Sequence, residues 1–333
     1  MVSDDSNDEI PMAECGSCRA VIPLDSKECL ECGISFSGVS NESLGECGAC
    51  KALVPIDSKS CPKCGVYFVA DDVVDVTYCN SRSVAEHIVM MIVSMVRDYH
   101  TQYAIVNNGG WNIADAVQRS YDVEGMHIGT VAAGRIGLDA LRKMKPFDVH
   151  LHYFDRHRLP ESVEKELNLT FHDSVESMVK VCDVVTINCP LHPETEHLFD
   201  EAMISKMKKG AYIVNTARGK ICDKDAIAAA LKSGQLSGYA GDVWFPQPAP
   251  NDHPWRSMPH HGMTPHTSGT SLSAQTRYAD GVREILECFF ENKEIRNQYL
   301  IVKDGELAGM GAHSYSKGTA TDGSEEAAKY QKK

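Results

Sequence analysis

The stretch Met126-His-Ile-Gly-Thr-Val-Ala-Ala-Gly-Arg-Ile-Gly137, followed by Val149-His-Leu-His-Tyr-Phe-Asp155, decides the fold of most of this chain. Residues 126–131 read as a strand, the turn Ala132-Ala-Gly-Arg-Ile-Gly137 follows at once, and a helix is expected from about Ile136 to Lys143. Val149 to Phe154 reads as the next strand and ends on Asp155. Strand, glycine turn, helix, strand and acidic residue in that order form a dinucleotide-binding fingerprint. Small residues at Ala132 and Gly134 let the backbone approach a pyrophosphate, and the helix N-terminus faces the negative charge. Gly137 lets the helix pack close to the strand, while Ala132 stands where the fingerprint has its first glycine. Asp155 would bind the ribose 2′-hydroxyl and repel a 2′-phosphate, so NAD is favoured over NADP. Arg156 beside it is the feature that would tolerate NADP.

Further strands are expected at Val184 to Ile187, Tyr212 to Val214 and Gly238 to Val243, with helices between them such as Lys224 to Lys232. Ser83-x-x-Glu86 has the form of a capping box and would open a long apolar helix through about Arg97. Residues 98–122, with Gly109-Gly-Trp111, read as irregular. Alternating strands and helices imply an α/β fold with a doubly wound parallel sheet.

Three further positions carry chemistry. Arg218, in Asn215-Thr-Ala-Arg-Gly219, follows an apolar strand and is placed to clamp a carboxylate bidentately; otherwise it is a surface ion-pair residue. Asp242, in Gly241-Asp-Val-Trp244, ends another strand, and His266 lies in Thr264-Pro-His-Thr-Ser-Gly269. All three fall at the sheet edge where ligands bind in such folds.

From about Val76 to Lys333 the chain resembles NAD-dependent formate dehydrogenase of the D-2-hydroxyacid dehydrogenase superfamily. The stretches that carry the resemblance are Thr77-Tyr-Cys-Asn-Ser81, Thr130 to Gly137, Asp155-Arg-His-Arg158, Asn188-Cys-Pro-Leu-His192, Asn215 to Lys220, Gly241-Asp-Val-Trp-Phe-Pro-Gln-Pro248, Thr264 to Gly269 and Gly311 to Lys317. The resemblance implies that Asn80 and Arg218 hold a formate carboxylate and that Gln247 and His266 complete the site. It implies that Asp242, Ser268 and Gly269 orient the nicotinamide. Ser81, Ala132, Gly134, Arg135, Ile136, Gly137, Asp155, Arg156, Pro190, His192, Thr216 and Ser314 would line the rest of NAD. The hydroxyacid enzymes use Arg, Glu and His, the Glu supporting His as a base for the substrate hydroxyl. Gln247 stands at the Glu position, and formate oxidation needs no proton removal. A neutral His–Gln pair therefore fits a bare hydride transfer.

The first seventy residues are different. Glu14-Cys-Gly-Ser-Cys18 through Cys29-Leu-Glu-Cys32-Gly recurs as Glu46-Cys-Gly-Ala-Cys50 through Cys61-Pro-Lys-Cys64-Gly. Each copy has two Cys-x-x-Cys knuckles, so Cys15, Cys18, Cys29 and Cys32 form one quartet and Cys47, Cys50, Cys61 and Cys64 the other. That is the donor set of a tetrahedral structural zinc, and the repeat resembles a double zinc ribbon. Two zinc ions are expected, with no open coordination position for chemistry. The segment is acidic, so a protein partner suits it better than nucleic acid. The remaining cysteines, Cys79, Cys182, Cys189, Cys222 and Cys288, read as small apolar packing residues.

Composition bounds the rest. The chain has 333 residues and a formal net charge of −13, which argues against nucleic acid or an anionic membrane as main partner. Its longest apolar run, Ile88 to Val96, is far short of the roughly 20 residues of a membrane span. The polar, acidic start is not a secretory signal, so a cytoplasmic location is expected.

The expected organisation is a disordered 1–11, ribbons at 12–38 and 39–68, and a junction at 69–80. An interdomain helix, an arm that forms dimers in the family and the Rossmann NAD-binding domain then fill 81–266. The C-terminal part of an incomplete catalytic domain occupies 267–333. The ribbons stand where the family has a segment that walls the formate pocket, so weak turnover is expected, with Leu286 and Phe289 left exposed. Two other readings stay open: a non-catalytic NAD-binding, dimerising module on a ribbon adaptor, and a 2-hydroxyacid dehydrogenase, which Gln247 disfavours.

Overall fold

A computed structural model of the chain describes residues 72–304 and 306–308, and in the first seventy residues 12–14, 21–23, 31, 44–46, 52–55, 63 and 64. The chain divides into two compact units, Met1–Ala70 and Asp71–Lys333.

The described part of the first unit is two antiparallel hairpins. β1 (Met12–Glu14) pairs with β2 (Val21–Pro23), and β3 (Leu44–Glu46) pairs with β4 (Leu53–Pro55). Their registers are the same, Met12 opposite Pro23 and Leu44 opposite Pro55, so the internal repeat extends to backbone pairing.

The second unit begins with β5 (Val73–Val74) and a 3₁₀ turn, Thr77–Asn80, which runs into α1 (Ser81–Val96). Val84, Ile88, Met91, Ile92 and Met95 recur at helical spacing and are buried along one face of α1. Then follow α2 (Tyr99–Asn107), α3 (Ile113–Arg119), β6 (His127–Val131), α4 (Arg135–Met144) and β7 (His150–Phe154). α5 (Glu161–Leu167), β8 (Leu169–Phe171), α6 (Val175–Val179), β9 (Val184–Ile187), α7 (Glu201–Lys206) and β10 (Ala211–Asn215) come next. α8 (Lys224–Ser233), β11 (Leu236–Gly241), β12 (His261–Met263) and α9 (Leu272–Phe290) lead to β13 (Leu300–Lys303) and β14 (Glu306–Leu307).

Seven strands form one sheet in the order β12-β11-β10-β9-β6-β7-β8, and every pairing in it is parallel. Every residue of β9 and β10 is buried, as expected of strands covered on both faces. One core cluster joins the sheet to α1, α4 and α5, and a second joins its other face to α6, α7 and α8. The strand order reverses at β6, beside β9, which creates a crevice at the carboxyl ends of the strands.

A second, three-stranded sheet orders β14-β13-β5 and is antiparallel. The Arg277 Nε of α9 donates to the Cys79 carbonyl (2.7 Å), tying that helix to the turn before α1. Leu286 and Phe289 of α9 are exposed, as the sequence led us to expect.

Several expectations need correction. α1 starts at Ser81 with Asn80 at its N-cap, so Ser83 is not a capping residue. The Ser83 hydroxyl instead meets Ser271 Oγ (2.9 Å) and accepts from Arg277 (2.9 Å). Residues 98–122 are irregular only in part: α2 and α3 occupy most of them, Gly109-Gly-Trp111 lies in the connection between, and Arg119 pairs with Asp98 and Asp115 to hold the two helices together. The short strands β8, β12 and β13 were not anticipated.

Candidate dinucleotide and carboxylate site

Six of the stretches that the sequence marks as chemical lie just beyond the carboxyl ends of parallel strands. Ala132 follows β6, Asp155 follows β7, Asn188 to His192 follow β9, Thr216 to Arg218 follow β10, Asp242 follows β11, and Thr264 to Ser268 follow β12. A parallel sheet delivers these loops to one edge whatever their separation in sequence.

The glycine turn has the form a pyrophosphate needs. A Cβ on Gly134 would meet nothing within 4 Å, so open space lies above it. A Cβ on Gly137 would strike the Ala132 carbonyl oxygen and come 2.7 Å from Thr130 Oγ1, so only glycine allows this helix–strand approach. Ala132 has φ +71°, the left-handed conformation that its glycine counterpart in the fingerprint would adopt freely. Arg135 and Ile136 are half-buried in the first turn of α4, and the Arg135 guanidinium lies 5.0 Å from the centre of the Tyr78 ring.

Asp155 is oriented by the backbone. Its Oδ2 accepts from Ala133 N–H (2.8 Å) and its Oδ1 from His157 N–H (3.0 Å). Both oxygens are thereby fixed beside the turn, and Arg156 is exposed. Thr216 Oγ1 and Asp242 Oδ1 are buried and have no hydrogen-bond partner among the described residues. Buried polar atoms are rarely left so, and two of them at the crevice fit a polar ligand there. The residues present therefore fit a dinucleotide.

At the far side of the crevice Gln247 Nε2 lies 2.9 Å from His266 Nδ1, and both side chains are exposed. Arg218 is exposed as well, its Nη1 donating to the Ala217 carbonyl (2.6 Å). Asn215, buried at the end of β10, donates to the Arg218 carbonyl (3.0 Å) and fixes the backbone from which that arginine projects. Asp242 Oδ2 accepts from Ser268 N–H (2.6 Å), which ties the loop after β11 to the loop carrying His266. Trp244 Nε1 donates to the Thr264 carbonyl (2.9 Å) and makes a second tie between the same loops.

Asn80 reaches this region from the other direction. A Cβ on Gly269 would collide with the Asn80 side-chain nitrogen, so glycine is needed for that approach. Ser81 heads α1 directly after it. Pro190 is exposed and His192 half-buried, with His192 N–H bonded to Thr195 Oγ1 (2.8 Å). Ser314 lies outside the described residues.

Of the eight paired cysteines, Cys64 is described and exposed; Cys15, Cys18, Cys29, Cys32, Cys47, Cys50 and Cys61 lie outside the described residues. Among the described residues no three His, Cys, Asp or Glu side chains are arranged to hold a metal. Cys79, Cys182, Cys189 and Cys222 are buried in the second unit. Burial pushes the Cys182 thiol up to about 12 and the Cys189 thiol up to about 11, which suits inert packing.

Sequence reasoning missed His87 of α1, whose Nε2 is buried with no hydrogen-bond partner among the described residues. Burial holds its pKa below the usual histidine value, against the pull of Asp242. It also assigned no role to Asn188 or Thr130, which hydrogen-bond beneath the glycine turn. A polar residue ending the apolar run Val184 to Ile187 was the available signal for Asn188.

Residues 89–268 match the family described as D-isomer specific 2-hydroxyacid dehydrogenase, NAD binding domain. The chain belongs to this family. Within the D-2-hydroxyacid dehydrogenases it is 70% identical over 260 residues to formate dehydrogenase of Pseudomonas sp. (strain 101), covering 78% of this chain and 65% of that one. It is 49% identical to the mitochondrial formate dehydrogenase of Hordeum vulgare, covering 71% of this chain and 63% of the relative. The chain thus spans less than two thirds of the length of either relative. Among solved structures, formate dehydrogenase from Staphylococcus aureus in complex with NAD superposes with a TM-score of 0.63 at 42% identity, covering 70% of this chain and 69% of that one. Formate dehydrogenase of Granulicella m. gives a TM-score of 0.67 at 64% identity, covering 70% and 62%.

Proposed function

We propose that the second unit is an NAD-dependent formate dehydrogenase, converting formate and NAD to carbon dioxide and NADH by direct hydride transfer. The observation that carries this reading is the Gln247–His266 pair, 2.9 Å apart, in which an amide and not a carboxylate meets the imidazole. Bound along the crevice from Gly134 to Asp242, NAD supplies the hydride acceptor. Arg218 and Asn80 hold the formate carboxylate, and Gln247 and His266 offer neutral hydrogen-bonding groups beside it. Formate carries one hydrogen on carbon; that hydrogen leaves as hydride, the product is carbon dioxide, and no proton has to be taken. A base held by a carboxylate, which oxidation of a hydroxyl group needs, would add nothing here. The relatives named formate dehydrogenase support the same substrate.

Asp155 would take the ribose hydroxyls, with Ser81, Arg135, Ile136, Pro190, His192, Thr216 and Ser314 along the rest of the cofactor. Hydride transfer needs water excluded, and Arg218, Gln247 and His266 are exposed in this structure. We therefore expect turnover by this chain to be weak unless another surface closes over that face. The arm at 98–122 exposes Tyr99, Tyr103, Trp111 and Val117, which suits a homodimer.

For the first unit the reading is a double zinc ribbon with two structural ions, one per cysteine quartet, and a protein as its partner. No helix among the described residues is long and apolar enough to cross a membrane, and a cytoplasmic location remains our reading. The test is formate-dependent NADH production beside a direct NAD-binding titration. Turnover supports the enzyme, and binding without turnover favours a non-catalytic dinucleotide module.

A further inference from the structure

Ala132 is the residue of the phosphate turn least suited to its conformation. Its φ of +71° lies in the left-handed region, which an L-residue other than glycine disfavours by about five- to thirtyfold in population. Something must hold it there. Thr130 Oγ1 donates to the Ala132 carbonyl (2.9 Å). A hydroxyl has one proton, so the lone pairs of Thr130 Oγ1 are what faces its other neighbour. That neighbour is the Asn188 amide, whose Nδ2 donates to Thr130 Oγ1 (3.0 Å) and to Thr186 Oγ1 (3.2 Å). The backbone reinforces the arrangement, since Asn188 N–H donates to the Val131 carbonyl (2.9 Å) and Ala132 N–H to the Phe154 carbonyl (2.8 Å). The direction of each bond in the series Asn188 to Thr130 to Ala132 is therefore fixed.

We infer that Asn188 is a positioning residue: acting through Thr130, it holds Ala132 in the left-handed conformation that shapes the turn for a dinucleotide pyrophosphate. It spans β9 and β6, the two strands that flank the crevice, so the turn is set by the neighbouring strand as well as by its own. This inference rests on the reading of the crevice as an NAD site, and it specifies how an alanine serves where glycine would need no support.

The test is a double-mutant cycle in the full chain, read as NADH affinity by fluorescence titration. Asn188→Ala is expected to raise the NADH Kd about three- to tenfold. Ala132→Gly supplies the second background, because glycine takes the conformation unaided. In the Ala132→Gly background Asn188→Ala should then cost less than about twofold. Thr130→Val should reproduce Asn188→Ala and serves if that variant does not fold. Equal losses in both backgrounds, or no loss on replacing Asn188, would overturn the inference. The same four proteins are unfolded in urea, where Ala132→Gly should raise the midpoint more in the Asn188→Ala background than in the parent. If the parent binds no NADH, the NAD reading itself fails, and the urea cycle alone decides whether Asn188 holds Ala132.

Discussion

Gln247 Nε2 and His266 Nδ1 stand 2.9 Å apart on loops that leave β11 and β12, with Asp242 and Ser268 bonded to each other at the roots of the same loops. The imidazole thus has an uncharged amide where a carboxylate would make it a supported base. The loops are held by the Asp242–Ser268 and Trp244–Thr264 bonds, so the pair inherits its spacing from the parallel edge of β11 and β12.

Gln247→Glu puts a charge beside the imidazole. The carboxylate favours the imidazolium over the neutral ring. Formate oxidation, which needs no proton transfer, is expected to be nearly flat from pH 6.5 to 8.5 in the parent and to vary about tenfold over that span in the variant. A pH profile of kcat/KM checks this; superimposable profiles would mean that the pair does not sit against the substrate.

Arg218→Ala would remove the carboxylate clamp proposed above. Formate kcat/KM should fall at least about a hundredfold, in line with the cost of misplacing a reactant, while the NADH Kd changes less than about threefold. A proportionate loss of NADH binding would assign Arg218 to the cofactor instead.

Asp155→Ser should relax the choice between NAD and NADP by removing the 2′-phosphate repulsion. Asp155 also accepts from Ala133 and His157, so the variant will lose some affinity for NAD as well. The ratio of the two dissociation constants is the measurement. A parent that already binds both equally would show that Asp155 does not face the ribose.

How far these sites could be read in advance follows from their physical basis. The turn at Ala132 to Gly137 was legible because strand, turn and helix are contiguous and the glycine is sterically required. Arg218 and His266 were legible as residues that follow strands of a parallel sheet, and Gln247 only through the resemblance; the parallel pairing of β10, β11 and β12 brings the loops that carry them to one edge. The Asn188–Thr130 contact was not legible, since a bond across 58 residues leaves no local pattern. The capping box failed for a similar reason: Ser83 finds Ser271 and Arg277, which lie far along the chain. The helices at 99–107 and 113–119 were hidden because their exposed faces carry apolar side chains.

Metal content is the measurement for the first unit. Two quartets of thiols predict two zinc ions per chain, and a chelator should unfold the segment 12–68 while leaving the Rossmann unit cooperative. Fewer than about one zinc per chain, or hairpins that persist in chelator, would remove the ribbon reading.

Acid should loosen the outer half of the sheet through an imidazole chain that runs from β6 and β7 to the residue after β8. His127 Nδ1 lies 2.8 Å from His152 Nε2, and His152 Nδ1 lies 3.0 Å from His172 Nε2. His150 stacks on His127 with ring centres 4.6 Å apart, and Asp183, paired with Lys208, is the nearby carboxylate. Burial first, then the neighbouring His172, His127 and His150, bring the His152 pKa down to about 4, and Asp183 opposes this only in part. Unfolding restores an ordinary value near 6.5. Between those two values the unfolded chain binds more protons than the folded one, so stability falls as the pH drops through that window and levels off below it. From pH 7 to pH 5 the loss from His152 alone is about 2 kcal/mol. His127 and His172, whose pKa values burial also lowers, act in the same direction. His152→Asn should be less stable than the parent at pH 7 yet lose less on acidification, as read by urea midpoints at both pH values. An unchanged acid slope in that variant would show that the chain of imidazoles does not govern the acid response.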